Sequence, residues 1–231
     1  MPKKNRCTKS YPALVFIVFF AASALVSYAA PIESARETSA SHDRSRLGVE
    51  ILGGAGLLNG YSGISLAFGA TFSYGFSKNI AIELAGLVIS GNGDYDPQTL
   101  SAGRLTIMPL QLSLLGRFPL GRKLTPYVLT GGSFFFTMFA LDKAVAKGWE
   151  DVGITLTEKV DNAFGFHFGA GLEYALGKAM SVAFDVRYIL GKTGGAWSIQ
   201  DNASASETDG TFSGLKLNTL VCSVGLKYLF R

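Results

Sequence analysis

The 231-residue chain is long enough for one domain. Its formal charge of +4 does not point to nucleic acid: four cations and no anions of the 21 Lys+Arg and 17 Asp+Glu lie in residues 1–29, leaving 17 against 17. Two cysteines, one of them inside that leading stretch, exclude an intramolecular disulfide in the remainder.

Lys3, Lys4, Arg6 and Lys9 precede an apolar run from Ala13 to Val26, and Ser27-Tyr28-Ala29 supplies a small-x-small exit. That order predicts a secretory signal peptide, residues 1–29, cleaved after Ala29. The run's 14 residues fall short of the ~20 a membrane-spanning helix needs. Residues 30–45 are rich in Ser, Ala and charge without an apolar period, and are predicted to be a flexible periplasmic lead-in. His42 and Asp43 lie in this tail and are read as solvated.

From Arg46 the sequence alternates with period two, the signature of strands with distinct faces. The pattern predicts eight strands: Leu47–Leu57, Ile64–Phe76, Ile80–Ile89, Arg104–Phe118, Pro126–Phe139, Ala163–Leu176, Val182–Leu190 and Leu215–Phe230. The clearest hairpin sets Phe164, Phe166, Phe168, Ala170, Leu172 and Tyr174 against Gly165, His167, Gly169, Gly171 and Glu173, then Val182, Phe184, Val186 and Tyr188 against Ser181, Ala183, Asp185 and Arg187. One face is continuously greasy; the other is Gly, Ser and Ala with isolated charges. A soluble sandwich would put Lys, Glu and Thr opposite its apolar face. Small residues with paired charges suit a narrow bore, and aromatic and aliphatic rows suit lipid. Pro109, lacking a ladder donor, predicts a bulge or irregularity in the fourth strand, and alternation is poor through Phe134-Phe135-Phe136.

Short and long connections alternate. The long ones run Ser90–Gly103, Ala140–Asn162 and Lys192–Ser213, so one end of the barrel is trimmed and the other elaborated. The fold class is therefore all-β: an eight-stranded antiparallel up-and-down transmembrane β-barrel over residues 46–231, preceded by a cleavable signal peptide. Tyr74, Phe76, Phe118, Tyr127, Tyr174, Tyr188, Tyr228 and Phe230 are predicted to form aromatic girdles, with Phe134, Phe136 and Phe164 toward the long loops.

The predicted lumen carries Glu50, Glu83, Arg117, His167, Glu173, Asp185, Arg187 and Lys227, four acids and three bases besides the His. Buried charges need partners, so these read as a salt-bridged plug or as a polar constriction in a small pore. His167 lies deep in a strand among glycines, without a neighbouring nucleophile-like Ser, and reads as structural or pore-lining. Asn92-Gly93-Asp94-Tyr95-Asp96 lacks the rest of a calcium loop, Asn202-Ala203-Ser204 is a sequon only on paper if the host is bacterial, and no Walker loop, zinc spacing or dinucleotide fingerprint occurs. No cofactor, metal or catalytic residue is expected.

Met108-Pro109-Leu110-Gln111-Leu112, Thr125-Pro126-Tyr127-Val128 and the Gly-Gly-Ser-Phe-Phe-Phe run resemble the outer membrane protein W (OmpW) family. So do Phe164-Gly165, Gly169-Ala170-Gly171-Leu172-Glu173-Tyr174 and Asp185-Val186-Arg187-Tyr188-Ile189. The resemblance, covering about residues 46–231, implies an eight-stranded outer-membrane barrel with a narrow apolar passage for small hydrophobic molecules. Terminal Tyr228-Leu229-Phe230 looks like the aromatic ending read by the barrel assembly machinery, although Arg231 follows it. The expected function is a narrow channel for small hydrophobic solutes or a structural anchor with long external loops. An adhesin or surface ligand-binding barrel is the alternative, and a lipid-modifying enzyme comes third. The expected partners are outer-membrane lipid or lipopolysaccharide, the assembly machinery with periplasmic chaperones, and a small hydrophobic solute.

Overall fold

A computed structural model describes residues 46–61, 63–93, 103–121 and 123–230. The proposed signal peptide, the lead-in, and Asp94, Tyr95 and Asp96 lie outside the described residues. The elements are β1 (Arg46–Leu58), β2 (Ser65–Gly75), β3 (Ile80–Gly93), β4 (Gly103–Arg117), β5 (Leu124–Leu141), α1 (Lys143–Glu150), β6 (Ile154–Val160), β7 (Ala163–Ala175), β8 (Met180–Asp201), β9 (Ser206–Lys216) and β10 (Thr219–Leu229).

Eight of these strands pair antiparallel in the order β10-β1-β2-β3-β4-β5-β7-β8, and β8 pairs back onto β10 to close the barrel. Closure removes the sheet edges that hydrocarbon cannot solvate. Burial alternates along each strand with an inverted sense. Phe164 is 80% exposed, Phe166 73% and Leu66 65%, while inward Ala67, Ala81 and Ala85 are fully covered. An apolar exterior of this extent is the surface a β-barrel offers to lipid.

Three tight turns define one end, hereafter the turn end. At Phe76–Asn79 the Phe76 and Ser77 amides donate to Ile80 O, and Ser77 Oγ accepts from the Asn79 and Ile80 amides at 3.2 and 3.1 Å. The β7–β8 turn repeats the backbone geometry, with the Leu176 and Gly177 amides donating to Met180 O, and Leu120 bridges Leu124 between β4 and β5.

The opposite, loop end corrects two expectations. Ala140–Asn162 is not a plain loop: it carries α1, whose N-cap Asp142 accepts from the Ala144 amide at 2.8 Å, and then β6. Nor is Lys192–Ser213 a loop, because β8 runs 22 residues without a break, leaving the barrel near Gly191 and continuing to Asp201. Its projecting half pairs with β6 on one side and β9 on the other, building a three-stranded sheet beyond the barrel. Thr193 pairs with Leu215 but Gly194 pairs with Ser213, so Gly214 is the extra residue of a bulge, and its φ of 82° is one that glycine adopts without strain. The bulge separates barrel from projecting sheet. β10 accordingly starts at Thr219 rather than at Leu215.

Pro109 does not shift the register. Gly86 faces Leu110 and Ile89 faces Ile107, the same alignment on both sides of a two-pair gap in the β3–β4 ladder, so the missing donor interrupts pairing without bending the strand out of phase. β5 alternates through its triple Phe: Phe135 points inward and is fully buried, whereas Phe136 is 43% exposed.

Candidate functional site

The bore is divided along its length. Toward the turn end the inward positions are mostly polar: Glu50, Thr71, Ser73, Glu83, Gln111, Ser113, Asp185, Arg187, Ser223 and Lys227 are all buried, beside a small apolar cluster of Ala81, Leu115 and Leu129 around Tyr127. Arg187 on β8 is the centre of this half. Its Nε donates to Asp185 Oδ1 at 2.7 Å, its Nη2 lies 2.9 Å from Glu83 Oε1 on β3, and its Nη1 donates to Gln111 Oε1 on β4 at 3.2 Å. The Tyr127 hydroxyl on β5 adds a 2.9 Å bond to Asp185 Oδ2. A guanidinium with its five donors is the one side chain that can tie together acceptors from several walls of a barrel at once.

A second cluster lies nearer the turns. Lys227 Nζ is 3.6 Å from Glu173 Oε2, and Ser181 Oγ donates to Glu173 Oε1 at 2.8 Å. Glu50 lies against Gly225, where an added Cβ would run into its carboxylate. Arg117 is half-buried, and its Nε has no hydrogen-bond partner among the described residues.

His167 occupies the middle of the bore, 1% exposed. Its Nε2 is 2.8 Å from Ser113 Oγ and its Nδ1 is 2.9 Å from Ser133 Oγ. One nitrogen donating and one accepting satisfies a neutral imidazole completely. The two serines were missed in the sequence because they lie on β4 and β5, far along the chain, and only strand register brings them to the ring. Although Ser and His are adjacent, the group is sealed within the barrel wall rather than set at a surface where a lipid ester could reach it.

Beyond His167 the bore turns mostly apolar, with Ser65, Thr193 and Thr219 as buried polar exceptions. Leu52, Leu87, Ile89, Leu105, Ile107, Phe135, Ile189, Leu217 and Val221 form one buried cluster with Leu58, Val160 and Ala163, and Tyr61, Phe139, Phe212 and Leu215 pack over it at the loop end. Phe135 reaches across the gaps left by Gly165 and Gly191, either of which would strike its ring if it carried a Cβ.

The expected girdle needs one correction. Tyr127 is 7% exposed and faces the bore, its ring seated where Gly171 on β7 leaves room and its hydroxyl held by Asp185. Its parity on β5 is that of Leu129 and Ser133, and a phenol with a carboxylate partner is stable inside. Tyr74, Phe76, Tyr174, Tyr228 and Phe230 gather at the turn end. Tyr74 and Phe76 meet edge-on at 5.2 Å, Tyr228 and Phe230 at 5.0 Å, and Lys123 Nζ lies 5.9 Å over the Tyr174 ring. Phe118 follows β4 at the same end, half-buried. Tyr188 stands outside farther up β8, 5.7 Å from Phe168, and Phe134 contacts both Phe136 and Phe164 at 4.8 Å. Among the described residues no group of three or more His, Cys, Asp or Glu is placed to hold a metal ion.

A closed eight-stranded barrel, greasy outside and polar or tightly packed within, defines a bacterial outer-membrane β-barrel protein. The chain belongs to the outer membrane protein beta-barrel domain family, which matches residues 13–230. It is similar in structure to the outer membrane protein OprG from Pseudomonas aeruginosa, at 15% identity and TM-score 0.60, covering 82% of this chain and 98% of that one. AlkL in DMPC lipid bilayers gives 19% identity and TM-score 0.52, covering 86% and 96%. Outer Membrane Protein W of E. coli gives 16% and 0.50, covering 82% and 100%. At these identities the likeness is one of fold. No curated protein matches.

Proposed function

We propose that the protein is a non-enzymatic outer-membrane barrel whose loop-end half admits small apolar solutes while its turn-end half blocks ions. The observation that carries this reading is the division of the bore at His167. An anchor needs only a filled interior, and charged pairs suffice for that nearer the turns; here the loop-end half is lined by Leu, Ile, Val and Phe and continues into the apolar residues that cover its mouth. Small apolar molecules partition into such a lining, and hydrated ions do not. The Arg187 network supplies the opposite barrier.

In this reading residues 1–29 are removed on export, residues 30–45 lead into the barrel from the periplasm, and residues 46–231 form the membrane domain. Short turns face the periplasm and the projecting sheet faces outward. Tyr228-Leu229-Phe230 is then presented to the assembly machinery after periplasmic chaperones deliver the chain, and lipopolysaccharide surrounds the loop end.

The test is uptake of a small apolar fluorophore into proteoliposomes alongside planar-bilayer conductance. Tracer uptake above protein-free vesicles with conductance at baseline supports the proposal; ion conduction without tracer selectivity, or neither, rejects it. Unchanged lipid composition in cells carrying His167→Ala is expected for a non-enzymatic barrel. A second reading, a display anchor, is favoured by the unbroken passage of β8 from the barrel into the projecting sheet. Loss of binding to a host surface on deleting residues 194–213, with no tracer uptake by the intact protein, would select it.

A further inference from the structure

The projecting sheet sorts its charge by height. Above the Gly214 bulge its strands alternate, so that Lys159, Ala196 and Thr211 share the outward face, followed toward the tip by Ser198 with Asp209 and Gln200 with Glu207. Asp201 closes the tip. Below the bulge, where the sheet joins the barrel, Lys192 and Lys216 are direct cross-strand partners. Asp209, Glu207 and Asp201 thus lie toward the far end and the Lys192–Lys216 pair at the base, with Asp161 and then Lys159 between them and about 20 Å of strand between Lys192 and Ser198.

The lysine pair is unusual in itself. Residues directly opposite across antiparallel strands hold their Cβ atoms about 5 Å apart, and like charges so placed repel. Both side chains are exposed, and neither forms an ion pair among the described residues. Asp161 is the nearest acid by register, its amide donating to Gly194 O at 2.9 Å, and Lys159 offsets it two residues away. Two like charges facing each other without an ion-paired acid cost stability, and an anion outside the chain that binds both would offset it.

The height of the pair indicates the anion's source. Lys192 follows Leu190 on the same outward row, and Phe164 of β7 stands one step beyond the Gly165–Gly191 pair, level with Lys192 and 80% exposed. Phe166, facing Leu190, is 73% exposed. The lysines thus sit at the upper margin of the lipid-facing surface, where aromatic rings meet head groups and long cationic side chains extend toward them. We propose that Lys192 and Lys216 together form a binding site for a phosphate group of an outer-leaflet lipid, clamping one phosphorylated headgroup at the foot of the projecting sheet. The inference rests on the outward orientation proposed above. The phosphate relieves the repulsion between the lysines, and the acidic tip keeps the sheet upright, away from the anionic surface.

The test uses the full chain refolded in neutral detergent and titrated with diphosphoryl lipid A, its dephosphorylated form and inorganic phosphate. The wild type is expected to bind diphosphoryl lipid A about thirtyfold more tightly than K192Q/K216Q, the effect of two cations near an anionic lipid surface. K192R/K216R is expected to retain binding, as is the turn-end control K78Q. Equal affinity of wild type and K192Q/K216Q overturns the site. Equal binding of the dephosphorylated lipid overturns phosphate as the recognised group, and binding of inorganic phosphate as tight as that of the lipid overturns the membrane as its source. Heat-modifiable migration of each variant reports closure of the barrel separately, so failure of the fold is distinguished from failure of the site.

Discussion

The two halves of the bore solve one packing problem in opposite ways. On the turn side of His167, space is filled largely by charge, beside the small cluster of Ala81, Leu115 and Leu129: Arg187 engages Asp185, Glu83 and Gln111, and Tyr127 completes Asp185. On the loop side it is filled by hydrocarbon, with Phe135 lodged among Ile89, Ile107 and Ile189. A charged network tolerates almost no deletion, because each partner left behind is an uncompensated buried charge. An apolar cluster loses energy in proportion to the cavity created and can let a small apolar molecule take up the space. In the proposed channel reading, one half seals and the other admits.

The sharpest way to break this contrast is Arg187→Ala, which strands Glu83 and Asp185. Urea unfolding in detergent is expected to show a loss of about 3–5 kcal/mol. A loss below 1 kcal/mol would mean that water already screens the network. Phe135→Ala is expected to cost about 3 kcal/mol in the same assay and, unlike Arg187→Ala, to raise apolar-tracer uptake without raising ion conductance. Increased ion current would show that the loop-end half is not a dry region. Tyr127→Phe, which removes one hydrogen bond from a still-paired carboxylate, is expected to cost about 1–2 kcal/mol and leave tracer uptake unchanged.

The smallest effect concerns the tip of the projecting sheet. Ser204 Oγ and the Ala203 and Ser204 amides donate to the Asp201 carboxylate, holding its pKa below the ordinary Asp range. A depressed folded pKa contributes order above the unfolded pKa and loses it as pH falls through the folded value. Hydrogen exchange at the Ala203 amide, corrected for intrinsic rate, is therefore expected to quicken only below about pH 4, with no matching change in the barrel. A change spread through the barrel would tie the tip to the bore.

Most of the barrel was legible because its two rows differ in kind. Wherever Phe, Leu or Ile alternates with Gly, Ser or a charge, as in β2, β7 and the first half of β8, the period of two is plain. Legibility failed where that contrast disappears. Leu105, Ile107 and Ile189 point inward beside outward Met108, Leu110 and Leu190, so the apolar half of the bore had no signal of its own. Tyr127 reads as outward for a related reason: its residue type suits a girdle, and only the glycine opposite and the carboxylate of Asp185 reveal an interior place. The projecting sheet hid for another cause. Lys192, Thr193 and the glycines after them interrupt an apolar row just as a loop would, yet the strand continues, because beyond the lipid its outward face needs to be polar rather than greasy.

Water-edited and lipid-edited solid-state NMR of the protein in bilayers tests the division of the bore and the inverted exterior together. Acyl-chain magnetisation is expected to reach Phe68, Leu112 and Phe166 early. Water magnetisation is expected to reach Ser73 and Ser223 well before Ile89 and Ile107, which stay dark at short mixing times. Equal water build-up at Ile107 and Ser73, or early acyl-chain transfer to Arg187 rather than Phe166, would contradict it.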